Sequence, residues 1–198
     1  MYKSYNEFGG CFTMKKEWFK NISTLETERT ILREVNECDL EEIYEIFSNP
    51  NVAKYDWFHP IKNKEEALRF IERYKEEFEE QEEITWGIAL KENNKLVGIC
   101  CLGDFDVYAR RAEIGYDLIE SHWNRGYATE AVKKIVEFGL KEMNLNRIEA
   151  FITPGNDSSV RVLEKVGFKM EGIVRERDLI KGKLEDGIIM GILKRDIM

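Results

Sequence analysis

Apolar residues in this chain recur with two different periods, and the changes between them divide it into elements. Across 113–120, Ile114, Tyr116 and Leu118 alternate with Glu113, Gly115 and Asp117. A period of two puts both carboxylates and the glycine on one face of a strand. After a short polar turn the period lengthens: Ala128, Ala131, Val132, Ile135 and Gly139 fall on one stripe, which predicts a helix ending near 143–144. The resulting strand–turn–helix over 113–136 organises the rest of the chain. A helix start leaves about four backbone N–H groups without partners, and the small residues Gly126 and Ala128 let an anion approach them.

The same reading places the other elements. Residues 30–34 form a short strand. Asp39, with Glu42 three residues later, reads as a capping box for a helix whose apolar side is Leu40, Ile43, Tyr44, Ile46 and Phe47. Asn49-Pro50 stops that helix, and the aromatic connector 55–60 leads to a second one, capped by Asn63 and carrying Ala67, Leu68, Ile71, Tyr74 and Phe78. Strand-like runs at 84–90 and 95–102, joined through Glu92-Asn93-Asn94, predict a hairpin. A polar turn over 104–111 leads into the 113–120 strand. Residues 147–152 alternate again, 153–156 form a loop, and 157–166 form a helix with Val160, Leu163 and Val166 inward, closed by Gly167. Strands at 168–174 and 187–193, with Lys181-Gly182-Lys183 between them, complete a mixed α/β layer. It is antiparallel at first, with a parallel crossover between the 113–120 and 147–152 strands.

Composition narrows this picture. With 198 residues, 43% hydrophobic and 12% aromatic, the chain is sized for one well-buried domain. We assign it to 22–198, with 1–21 as an extension of uncertain order. The excess of 38 acidic over 30 basic residues, net −8, argues against a nucleic-acid surface and is compatible with a cationic partner. Cys11, Cys38, Cys100 and Cys101 lack metal-ligand spacing, so we expect no metal and a reduced, cytoplasmic chain. No apolar run reaches the ~20 residues of a membrane span, and no signal-peptide pattern opens the sequence, so no membrane partner is expected.

The turn residues carry a resemblance. Trp123-Asn-Arg125-Gly126-Tyr127-Ala128 is similar to the acyl-CoA-binding signature of the GNAT N-acetyltransferase superfamily, Gln/Arg-x-x-Gly-x-Gly/Ala, with Trp123 where Gln or Arg is usual. A second stretch, Asn156 and Ser159 followed by Leu163-Glu-Lys-Val-Gly167-Phe168 and Glu171-Gly172, resembles the RimJ/RimL-like branch, and 28–33 is similar to its first strand. The resemblance spans about 25–197. It implies a GNAT-like fold: a mixed, mostly antiparallel central sheet with helices on both faces and the parallel crossover at the acyl-CoA site. It also implies acetyl-CoA as co-substrate, gripped by the amides of Arg125, Gly126, Tyr127, Ala128 and Thr129. The backbone near Leu118 and Ile119 would lie along the pantetheine arm, and Asn156 would hold the pantetheine or the acceptor.

Direct acyl transfer to a primary amine needs a proton acceptor and a group that meets the departing thiolate. By the resemblance these are Glu113, directly or through water, and Ser159. Leu163 stands where other branches carry a tyrosine acid. Glu113 has a structural alternative as an ion-pair partner of Arg110 or Arg147, Asp178 is a rival base or an exposed loop residue, and Ser159 and Asn156 also suit the start of a helix. His59 and His122 read as surface residues, while the connector 57–59 is a candidate wall of the acceptor pocket. The expected acceptor is a protein N-terminus, such as that of a ribosomal protein, or a small amine, and the expected state is monomer or homodimer. The alternative is a non-catalytic acyl-CoA-binding regulatory module.

Overall fold

The computed structural model describes residues 17–197. Within them one eight-stranded sheet has the order β1-β2-β3-β4-β5-β6-β8-β7. The strands are β1 (Leu25–Glu26), β2 (Thr30–Glu34), β3 (Ile84–Leu90), β4 (Leu96–Asp106), β5 (Arg111–Leu118), β6 (Arg147–Ile152), β7 (Lys169–Ile180) and β8 (Lys183–Leu193). Every neighbouring pair is antiparallel except β5 and β6. Four α-helices, α1 (Leu40–Ser48), α2 (Lys64–Glu79), α3 (Tyr127–Lys141) and α4 (Asp157–Val166), complete the described architecture. The expected mixed sheet with one parallel crossover is therefore the observed one.

Two cores explain why the helices divide between faces. Ala131, Val132, Ile135 and Leu140 of α3 and Leu163 of α4 pack with Trp86, Cys100, Leu102, Ile114 and Ile148 on one side of the sheet. Ile43, Ile46 and Phe47 of α1 and Ala67, Ile71 and Tyr74 of α2 pack with Leu96 and Ile99 on the other. Strand β4 serves both cores by alternation, Leu96 facing one and Val97 the other, and a register shift opposite Ile88 and Ala89 keeps Leu96 on the same face as Ile99, three residues on. No helix among the described residues is long and apolar enough to cross a membrane.

Three sequence expectations need correction. Asp39 heads α1 but makes no capping bond to it. Its carboxylate is taken by Arg33, at 2.8 and 2.7 Å, and by the Asn36 amide at 3.0 Å. Asn36 is the side-chain cap one step earlier, accepting from the Cys38 amide. Strand β4 continues to Asp106, three residues into the expected polar turn. The final ribbon is also longer than its apolar runs: β7 reaches Ile180 and β8 begins at Lys183. Asp178 pairs there with Glu185, whereas Arg175, Glu176 and Arg177 fall in the register shift between Val174 and Asp178 that bends the strand, and none of the four continues an apolar alternation. The expected extension 1–21 lies mostly outside the described residues.

Candidate active site

Strands β5 and β6 pair only over Arg111–Arg147, Ala112–Ile148 and Glu113–Glu149, then separate. Their closed end is fastened by charge. Arg111 donates to Glu149 at 2.7 Å and to Asp104 at 3.0 Å; Arg147 donates to Glu149 at 2.6 Å and grips both oxygens of Glu171. Two guanidiniums thus neutralise the buried Glu149 carboxylate, which is what burial of a charge requires. Past Glu113 the edge of β5 is open toward β6. The Ile119 amide donates back to Val97 at 2.9 Å. By strand alternation the backbone groups of Tyr116 and Leu118 therefore point away from β4, into the opening. Ile119, expected to share that role with Leu118, is turned the other way and its side chain is buried in the α1–α2 core. The Leu118 carbonyl already accepts from Trp123 Nε1 at 2.9 Å, which gives the aromatic replacement in the turn a definite anchor.

The turn itself is built for a tight helix entry. Asn124 and Gly126 are left-handed, with φ of 59° and 83°, and Gly126 is the N-cap of α3. The first helical bond runs from the Glu130 amide to the Gly126 carbonyl at 3.0 Å, so the amides from Arg125 to Thr129 precede the ladder. Arg29, on the turn before β2, braces this entry: it donates to the Arg125 carbonyl at 3.0 Å, pairs with Glu130 at 2.8 Å and stacks 4.6 Å above the Tyr127 ring. A methyl at position 126 would sit 3.3 Å from that guanidinium.

Helix α4 begins across the opening. Asn156 caps it, accepting from the Ser159 amide at 3.3 Å and the Ser158 hydroxyl at 2.8 Å. The Tyr116 hydroxyl donates to the Ser159 carbonyl at 3.1 Å, tying β5 to the first turn of α4. Burial raises that phenol's pKa further above its ordinary value. Leu163 is fully buried.

On the α1–α2 side, Glu113 pairs with Arg177 at 3.1 Å rather than with Arg110 or Arg147. Arg177 also holds Asp178 at 2.7 Å and lies 3.4 Å above the Phe151 ring. Asp178 is thus a half-buried strand residue, not an exposed loop acid. Burial, opposed by Arg177 and reinforced by Asp104, Glu149 and Asp178, pushes Glu113 up to about 7. The connector 55–60 lies beside this face: Phe58 is buried, and Trp57 and His59 are exposed. The short turn Ala53–Tyr55 is held by Thr153 Oγ1, which donates to the Tyr55 carbonyl at 2.9 Å, and by Lys181 Nζ, which donates to the Ala53 carbonyl.

The structure therefore gathers the turn residues, the Leu118 edge, Asn156 and Ser159 around one opening, with Glu113 at its closed end. No hydrogen bond joins Glu113 to Ser159 among the described residues. Sequence reading missed Arg29, Tyr116 and Arg177, whose partners lie 96, 43 and 64 residues away.

The Acetyltransferase (GNAT) domain model matches residues 29–169. This chain belongs to the GNAT family. An uncharacterized N-acetyltransferase, p20, of Bacillus licheniformis is 35% identical over 175 residues, covering 88% of this chain and 98% of that one. A GNAT-family acetyltransferase from Bacillus anthracis superposes with a TM-score of 0.78 at 27% identity, covering 87% of this chain and 99% of that chain. The fold of Mycobacterium smegmatis RimJ in complex with CoA-disulfide is also similar, with a TM-score of 0.80 over 89% of this chain and 90% of that one at 22% identity. This GNAT protein is an acetyl-CoA-dependent N-acetyltransferase.

Proposed function

We propose that acetyl-CoA lies in the opening between β5 and β6 and that the acceptor, a protein N-terminus or a small amine, meets it from the α1–α2 side. The observation that carries this reading is the unpaired edge of β5 running into a helix entry with a left-handed glycine. The amides of Arg125, Gly126, Tyr127, Ala128 and Thr129 suit the pyrophosphate, because they precede the helical ladder and Gly126 has no side chain in the way. The Leu118 edge suits an extended pantetheine arm, which would add to β5 as a strand does. Asn156 keeps its capping role and borders the same opening.

Acetyl-CoA supplies an activated thioester carbonyl. Glu113, raised to about 7, is poised to take a proton from the amine near neutral pH, and Arg177 orients its carboxylate. The Ser159 hydroxyl, in the first turn of α4, supplies a hydrogen bond to the departing sulfur. The Tyr116 hydroxyl fixes that turn through the Ser159 carbonyl.

Calorimetric titration with acetyl-CoA tests the binding half: saturable heat is expected, and its absence would sink the reading. Ser159→Ala and Glu113→Gln are each expected to lower turnover at least tenfold with little change in acetyl-CoA affinity, read as free CoA released in the presence of amines. Undiminished turnover in both variants would remove these roles.

A further inference from the structure

An anion that enters the Gly126 turn meets more than backbone amides. Trp123 uses its single side-chain donor, the indole N–H, on the Leu118 carbonyl. Glu130 brings a carboxylate to the first turn of α3, and the Arg125 carbonyl adds a second negative end beside it. Left bare, both would repel a pyrophosphate that approached the amides from Arg125 to Thr129. Arg29 stands between them. Its Nε and Nη2 each lie 2.8 Å from Glu130 Oε2, and its Nη1 donates to the Arg125 carbonyl at 3.0 Å.

The local chain explains how an arginine is held at that place. Residues 27–30 form a tight turn: the Thr27 amide donates to the Thr30 carbonyl at 3.0 Å, and the Thr30 amide donates to Thr27 Oγ1 at 2.9 Å. The turn closes around the other oxygen of Glu130, which accepts from the Arg29 amide at 2.7 Å and from the Thr27 hydroxyl. The guanidinium carbon then lies 4.6 Å from the centre of the Tyr127 ring, and Nη2 is 3.3 Å from where a side chain on Gly126 would begin. Charge, hydrogen bonds and a ring face all fix this side chain, so a ligand has little further ordering to impose on it. It is nonetheless 44% exposed. A guanidinium offers five N–H groups, and Nε, Nη1 and Nη2 each commit one of them to the contacts above, which leaves two without a partner among the described residues. A fixed planar fork with free donors suits phosphate oxygens.

We propose that Arg29 is a cofactor-binding residue: it screens the Glu130 carboxylate and the Arg125 carbonyl from the pyrophosphate of acetyl-CoA and offers that group its two remaining N–H donors. The turn between β1 and β2 thereby becomes part of the cleft. The charge of the whole chain makes such a device useful, because a net −8 opposes the approach of an anion except where a local cation offsets it. One consequence separates this role from a simple tie between β2 and α3. The two members of the ion pair act on cofactor affinity in opposite directions: loss of the arginine bares a carboxylate, whereas loss of the carboxylate frees the arginine. A pair that only fastened two elements together would be damaged equally from either side. This assignment rests on the acetyl-CoA reading of the same cleft and adds to it a residue from a distant part of the chain.

The test needs no turnover. CoA and dephospho-CoA, which keeps the pyrophosphate but lacks the 3′-phosphate, are titrated calorimetrically into the parent, Arg29→Gln, Glu130→Gln, the double variant and Arg69→Gln, an equal charge change at an exposed position of α2. Arg29→Gln is expected to weaken both ligands roughly tenfold or more, as loss of charge-assisted hydrogen bonds does. Glu130→Gln should bind both at least as tightly as the parent, the double variant should recover part of the Arg29→Gln loss, and Arg69→Gln should match the parent. Equal losses in the two single variants, or undiminished CoA affinity in Arg29→Gln, would overturn the proposal. So would a loss seen with CoA but not with dephospho-CoA, which would move Arg29 to the 3′-phosphate. Should Arg29→Gln fail to fold, Arg29→Lys, which keeps the charge without the fork, replaces it: weaker binding there beside undiminished binding in Glu130→Gln supports the role, and the reverse overturns it. Failure of the parent to bind CoA would instead overturn the acetyl-CoA reading on which the assignment rests.

Discussion

Glu113 carries the sharpest consequence at the scale of single residues, because its position joins stability to chemistry. Its folded pKa of about 7 lies above the ordinary 4.5. Between those values the folded protein holds a proton that the unfolded chain has lost, so this residue's contribution is fully present below pH 4.5 and is lost as pH rises through 7. The shift corresponds to about 1–3 kcal/mol once its partial exposure and the Arg177 partner are allowed for. Burial raises Asp56 and Asp117 as well, so the parent's melting curve alone does not isolate the effect. The difference between parent and Glu113→Gln does: the two should melt together at pH 4, and the variant should melt several degrees higher at pH 8, where it is also the poorer catalyst. A variant that melts lower than the parent at pH 8 would mean that Glu113 serves the ion pair with Arg177 more than it suffers from burial.

Among the elements, β4 and β5 hold the lip of the cleft, and a glycine sets how closely they approach. A Cβ on Gly98 would lie 2.5 Å from the Asp117 carbonyl and 2.9 Å from Leu118 Cγ. The first of these atoms is backbone, so no rotamer change relieves the contact and the strands must part. Gly98→Ala is expected to destabilise by about 2–3 kcal/mol, as overpacking in a filled interior does, which is roughly 4–12 °C in Tm for a chain of this size. Acetyl-CoA affinity should fall with it, since Leu118 borders the opening. A melting temperature within a degree of the parent would show that β4 and β5 separate freely here. The elements themselves were legible because their signals are local: the alternation at 113–118, the helical stripe from Ala128 to Gly139 and the Asn156 cap each lie within a few turns of chain. What was not legible was pairing at a distance. Glu113 could be read as an ion-pair partner, but Arg177, 64 residues on, sits in a stretch with no apolar alternation to mark it as a strand. Arg29 could be seen as part of a family-like strand, yet its brace on the Gly126 turn exists only once β2 lies beside α3. Asp39 misled for the opposite reason: a local capping pattern was present, and Arg33 outcompeted it.

For the molecule as a whole, the two substrates meet fields of different origin. The chain carries a net charge of −8, which attracts a cationic acceptor from a distance, whereas the anionic cofactor is favoured only near the helix entry and its backbone amides. Range decides which effect salt can tune. The screening length is about 8 Å at physiological ionic strength and about 30 Å at 0.01 M, so the long-range attraction reaches an approaching amine only in dilute buffer. Short-range contacts at the Gly126 turn change less over the same interval. Lowering ionic strength from 0.15 to 0.01 M at saturating acetyl-CoA should therefore raise kcat/KM for an amine acceptor several-fold, and more steeply for 1,4-diaminobutane than for 1-aminobutane because the attraction grows with ligand charge. Initial rates of CoA release across that range measure both slopes. Identical slopes for the two amines would mean that the acidic surface does not reach the cleft.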